Sequence, residues 1–282
     1  MSYEPYPKAI EAQYGPIKRA RFCYLYTQRG KRLVDMYQEA GKAVLGWNFG
    51  SSRTYFKNTL NRGAGGSFET GEKTRLKKAV KMLFRQIEHE GESGAEYDFS
   101  ECFSGDEAQY IEKNYSQWRP WDTDCKTTAH ADGAGGLPEK IFFLPPFPLA
   151  SDLIIFAAKK SALDETESAK INDLAQRSAA PVVPACVLAG ITRSIYDLAL
   201  VYHKRTENEW KIYDTIFSQF WTRRGAWLFP KMDSGCYALF AERALDAGII
   251  VSPDYSTPSV VPWSADLGSV KALAGIMQDK ML

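Results

Sequence analysis

Two short apolar runs lying close together, "KIFFLPPFP" (140–148) and "DLIIFAA" (152–158), constrain this chain more than any other feature. Neither alternates apolar with polar residues, so a strand built from either must be covered on both faces, and helices are the usual cover. Neighbouring segments supply them. From Glu72 onward, Leu76, Ala79, Val80, Leu83, Phe84 and Ile87 recur at helical spacing, Lys and Arg fill the opposite face, and Gly91 marks the stop. "SALDETESAKINDLAQRS" reads as a polar surface helix and "ACVLAGITRSIYDLALVYHK" as a longer, more buried one. Strands alternating with helices place the chain in the α/β class, with a small α+β segment at its C-terminal end.

Residues 1–23, rich in proline and tyrosine, read as an extended arm, and "FCYLYTQRGKRLVDMYQ" as a β-hairpin that turns at Gly30 and ends at Asp35. The glycines of "RGAGGSFETGE" (62–72) mark a loop. "ECFSGDEAQYIEKNY" (101–115) reads as a strand end, a turn at Ser104 and Gly105, and a helix capped by Asp106. Such a turn aims backbone N–H groups and the positive end of a helix dipole at one point, which favours an anion. "ENEWKIYDTIFSQFWTRR" reads as a helix with Trp210, Tyr213, Phe217, Phe220 and Trp221 along one stripe, suited either to core packing or to a subunit interface. These segments divide the chain into 1–70 (arm and hairpin), 71–205 (a reduced α/β domain) and 206–282 (a small α+β domain).

The 282 residues carry a formal net charge of +1, which removes the broad electrostatic argument for nucleic acid or an anionic membrane. The opening "MSYEPYPKAIEAQYG" lacks the basic and apolar regions of a secretory signal. "IFFLPPFPLA" and "SDLIIFAAKK" are too short and broken to span a bilayer. A cytoplasmic location is therefore expected, with no membrane partner. The five cysteines stand far apart, without a C-x-x-C pair and with three histidines in the chain, so no metal site and no disulfide framework is expected. His130 and His203 stand isolated and carry no assigned role.

Three stretches, in order, resemble the class III-like aminotransferases of pyridoxal phosphate (PLP) fold type I. "RGKRLVDMYQEAGKAVLGWN" is similar to their N-terminal segment, in which a glycine turn, a strand ending in aspartate and a small-residue segment ending in Leu-Gly recur. "FSGDEAQYIE" resembles the family's "SGSEA"-type turn, whose backbone amides hold the cofactor phosphate. "ALDAGIIVSPDYSTPSVVPWSADLGSVKAL" resembles the small C-terminal domain. The resemblance implies a shortened fold type I core, a homodimer, a small-molecule substrate, and PLP held at Ser104, Gly105 and Asp106. It also implies an aromatic over the ring, for which Trp121 and Trp118 of "WRPW" are the candidates; a hydrophobic plug is the other reading of both.

The family pattern is incomplete. Its chemistry needs a carboxylate to keep the pyridine nitrogen protonated and a lysine to carry the aldehyde. Between residues 118 and 185 there is no D-E-x-x-x-G and no S-x-x-K in the expected setting, and "SQWRPWDTDCKTTAHADGAGGLPEK" reads as a loop. Lys159 and Lys160, after "LIIFAA", are the best-placed lysines; the other reading is a solvated pair at a strand end. "TPSVVPWSADLG" lacks the arginine that clamps a substrate carboxylate, and Arg223 and Arg224 lie upstream. The expectation is a degenerate, non-catalytic relative with a binding or regulatory role. The alternative is an active aminotransferase-like enzyme using an atypical lysine.

Overall fold

In the computed structural model, which describes residues 6–64, 70–88, 97–126, 128–129, 135–150, 152–178 and 183–276, the chain opens with α1 (Tyr6–Tyr14), β1 (Ile17–Arg21), β2 (Tyr24–Thr27) and β3 (Arg32–Asp35). Next come α2 (Ser52–Asn61), α3 (Glu72–Glu88), β4 (Phe99–Phe103), α4 (Gly105–Asn114) and β5 (Ser116–Gln117). β6 (Thr128–Ala129), β7 (Gly135–Gly136), β8 (Lys140–Phe143), β9 (Ile154–Ala158), α5 (Glu165–Ser178) and α6 (Ala185–Tyr202) follow. The chain continues with α7 (Asn208–Lys211), α8 (Asp214–Phe217), β10 (Trp221–Arg224) and β11 (Trp227–Pro230). The last described elements are α9 (Ser234–Asp246), β12 (Ile249–Ile250), β13 (Ser259–Val260), α10 (Leu267–Val270) and α11 (Ala272–Ile276). Contacts group these elements into two units, Gly50–Arg205 and Met1–Phe49 with Thr206–Leu282. Residues 1–49 join the C-terminal segment, and 50–70 belong to the middle unit.

The middle unit is built on a sheet of order β4-β9-β8-β5, in which β9 runs antiparallel to both neighbours and β5 runs parallel to β8. All of β9 and the apolar part of β8 are buried, as runs without alternation require. Their side chains divide between the faces. Phe142, Ile154, Phe156 and Ala158 pack with Ala108 and Ile111 of α4 and Ile171 of α5. On the other face Phe143 meets Phe84 of α3 edge-on, with ring centroids 5.6 Å apart. The six apolar residues read as the stripe of α3 are all buried. α6 is long and apolar enough to cross a membrane by length and composition, yet most of it is buried inside this unit. α2 has no apolar stripe to announce it, since its buried residues are Ser52 and Thr59.

The other unit holds a sheet of order β1-β2-β3-β12 and a smaller one of order β10-β11-β13. The expected hairpin is β2–β3, with Tyr24 opposite Val34 and Gly30 at φ +79 in the turn. β12 lies parallel to β3, so the N-terminal and C-terminal segments share one sheet.

Two expectations are corrected here. Within the N-terminal arm, residues 6–14 form a helix rather than extended chain, and 17–21 form β1. Tyr6 and Ile10 of α1 bury themselves with Leu25, Leu33, Leu245 and Ile250, which an isolated arm would leave in water. The aromatic segment is not one helix: α7 and α8 are single turns, and Trp221 opens β10. Its five aromatics are all buried within one chain, Trp210 at 4% exposure and Trp221 at 1%, so the stripe packs as core of this unit. Phe220 and Trp221 pack on Phe240 of α9, at 5.2 and 5.3 Å. Gly91 and His130 lie outside the described residues.

Candidate functional site

The strand–turn–helix unit at 101–115 forms as read. β4 ends at Phe103, Ser104 is extended (φ −144, ψ 166), and Gly105 takes φ +61 as α4 begins. That left-handed φ suits glycine, although an added Cβ would meet nothing within 4 Å. The N-cap position belongs to Ser104. Asp106, expected as the cap, lies with Glu107 in the first turn. The Gly105 N–H donates to Oδ2 of Asp152 at 3.4 Å. The anion at this helix start is thus a carboxylate of the chain itself, answering one of the N–H groups a helix leaves unpaired at its N-terminus.

The strand register separates the lysines from this turn. Phe103 pairs with Ile154 and Phe99 with Ala158, so Ser104 follows one end of the β4–β9 pair and Lys159 follows the other. Five strand residues at about 3.4 Å each put roughly 17 Å between those ends. Lys159 is half-buried, and its Nζ forms an ion pair with Glu88 Oε1 at 2.9 Å, 5.5 Å from the centre of the Tyr97 ring. Lys160 opens a 3-10 turn (Lys160–Ala162), and its side chain lies outside the described residues.

Trp121 sits at φ +61 with its Nε1–H donating to the Tyr202 carbonyl at 2.8 Å. Its ring stacks on Tyr202 (5.7 Å, 14°), and the Arg205 guanidinium lies 5.0 Å from the ring centre. Trp118 packs edge-on against Phe84 and Phe143. Both tryptophans are buried in this unit. Arg223 forks onto Asp214 at 2.6 and 2.8 Å and also reaches Glu207, while Arg224 lies over Phe229. His203 bonds the Gln86 carbonyl. Among the described residues no group of three His, Cys, Asp or Glu could hold a metal ion.

The other unit holds a buried carboxylate to which the sequence pattern assigns no chemistry. Asp35, 2% exposed at the end of β3, accepts from the backbone N–H groups of Tyr37 (3.0 Å) and Gln38 (2.8 Å) through Oδ1, and from Trp47 Nε1 (2.6 Å) through Oδ2. Burial pushes its pKa up to about 6, against the pull of these three donors. The one signal in the sequence was an aspartate closing an apolar strand.

No family model matches the chain. An uncharacterized protein of Treponema pallidum (strain Nichols) is 27% identical over 92% of both chains, and one of Borreliella burgdorferi (strain ATCC 35210 / DSM 4680 / CIP 102532 / B31) is 24% identical over 94% of this chain and 92% of its own. Among solved structures, a glutamate-1-semialdehyde-aminomutase from Pseudomonas aeruginosa PAO1 superposes with TM-score 0.59 at 9% identity, covering 94% of this chain and 87% of its own. An omega-transaminase from Sphaerobacter thermophilus gives 0.58 at 10% identity over 94% and 91%. The N-acetylornithine aminotransferase from Stenotrophomonas maltophilia K279a gives 0.54 at 10% over 96% and 100%. At these identities the likeness shows the fold alone, and that fold is the α/β architecture of the PLP-dependent aminotransferases.

Proposed function

We propose that this protein is a non-catalytic, aminotransferase-like member of PLP fold type I, a cytoplasmic homodimer that keeps the scaffold for binding or regulation. The observation that carries the reading is the antiparallel β4–β9 register, which sets Lys159 at the end of the sheet away from Ser104 and Gly105. A cofactor whose phosphate sat at Gly105 would also have to displace the Asp152 carboxylate and tolerate Asp106 and Glu107. Like charges oppose that. These residues do not fit PLP held jointly by the turn and by Lys159 or Lys160. All five cysteines are free thiols, in keeping with a reducing compartment. For assembly, exposed Tyr55 and Leu60 on α2 and Leu200 on α6 supply apolar surface that the aromatic core does not.

Purified protein mixed with PLP, scanned in the visible range, reduced with borohydride and mapped by peptide mass tests the reading. The expected result is no aldimine band and no stoichiometric label. Stoichiometric labelling of Lys159 or Lys160 overturns it and restores the active enzyme with an atypical lysine. Light scattering tests the dimer: a concentration-independent mass of one chain removes it.

A further inference from the structure

The unit formed by residues 1–49 and 206–282 carries a cleft of about 420 Å³, open to solvent on one side, between α1 and the β1-β2-β3-β12 sheet. Small-molecule sites run from about 300 to 1,000 Å³, so this one is of ligand size. Ile10, Leu25, Trp47 and Ile250 make its wall apolar. Among the described residues its charged lining is of one sign: Glu11, Asp35 and Glu39 face it, and no described lysine, arginine or histidine does. Arg29 packs on Gly15 at the rim, but its Nη1 donates to the Gln13 carbonyl.

Asp35 is the built part of the site. Two donors occupy Oδ1 and one occupies Oδ2. A carboxylate has about four acceptor positions, so Oδ2 retains room for one more donor. Glu11 and Glu39 are exposed and enter no ion pair among the described residues. An apolar body fits the wall, and a cation fits the carboxylates.

We propose that this cleft binds a small organic amine, its apolar body packed between α1 and the sheet and its ammonium directed at Asp35, Glu39 and Glu11. A charge-assisted hydrogen bond to a buried carboxylate is among the stronger polar contacts a protein offers. The same contact would neutralise a charge that burial disfavours, since Asp35 already sits at about 6. The inference is independent of the phosphate turn, which lies in the other unit.

Calorimetric titration with three probes of matched shape tests it: tryptamine, neutral 3-methylindole and anionic indole-3-propionate. Tryptamine is expected to bind at one site per chain, at least about tenfold more tightly than either of the others. The double variant Glu11→Gln/Glu39→Gln, which alters exposed residues, is expected to keep the fold and weaken tryptamine about fivefold. Ala20→Trp, which fills the cleft from β1, is expected to abolish binding; if it fails to fold, the double variant decides alone. Equal binding of all three probes, binding of none, or unchanged tryptamine affinity in a folded double variant overturns the proposal.

Discussion

The Gly105 N–H points at the Asp152 carboxylate across 47 residues of sequence, so the anion at the start of α4 is supplied by the chain that forms the turn. Replacing that anion should expose what the turn can bind by itself. Asp152→Asn, exposed and one atom different, is expected to let millimolar phosphate shift the Gly105 amide resonance, while the wild-type amide stays unmoved. A wild-type amide that shifts as readily as the variant's would show that Asp152 does not guard the site.

Asp35 should leave a signature in stability against pH. Its folded pKa of about 6 lies above its ordinary 3.8, so the folded state holds the proton more tightly than the unfolded chain. The contribution is full below the unfolded pKa and is lost as pH rises through the folded one. At about 1.4 kcal/mol per pKa unit, unfolding free energy attributable to Asp35 should fall by roughly 2 kcal/mol between pH 4 and 7, the remainder of the effect lying below pH 4. Urea titrations of wild type and Asp35→Asn across that range measure it as a difference in slope. Parallel curves would show that the carboxylate is not held in a proton-retaining site.

Truncating the aromatic core should cost folding and not assembly. Trp221→Ala is expected to destabilise by about 3–5 kcal/mol. Trp221→Phe should cost less, because the indole Nε1 is buried without a hydrogen-bond partner and its loss orphans nothing. Denaturant unfolding and light scattering on the same samples separate the outcomes. A folded Trp221→Ala protein that merely loses its partner would place the stripe at an interface.

Gly41 and Gly30 offer a matched pair for separating backbone strain from crowding. Both have positive φ, +91 and +79, but a Cβ on Gly41 would lie 2.2 Å from the Trp227 ring, while one on Gly30 meets nothing within 4 Å. Gly30→Ala should cost about 1–2 kcal/mol from the left-handed conformation. Gly41→Ala should cost a further 1–3 kcal/mol, roughly, from overpacking. Chemical denaturation of the two variants gives the comparison directly, and equal losses would show that Trp227 moves aside freely.

Periodicity determined what it physically encodes, namely which residues face inward over one element. The α3 stripe from Leu76 to Ile87, the two-sided burial of β8 and β9, the β2–β3 hairpin and the turn at Gly105 were all legible because each is a local pattern of side-chain size and backbone freedom. Pairing and direction were not. A continuous apolar run such as "LIIFAA" demands cover on both faces but carries no mark of which way it crosses the sheet, and the antiparallel register with β4 alone put Lys159 far from Ser104. The aromatics from Trp210 to Trp221 looked like one helical stripe because spacing cannot tell a helix from two single turns and a strand folded onto α9. Asp152 reached Gly105, and α1 found its place over Leu25 and Ile250, through contacts between segments distant in sequence. Such contacts form only when burial of the whole unit offsets the entropy of closing the loops between them, and that balance is decided by the tertiary structure.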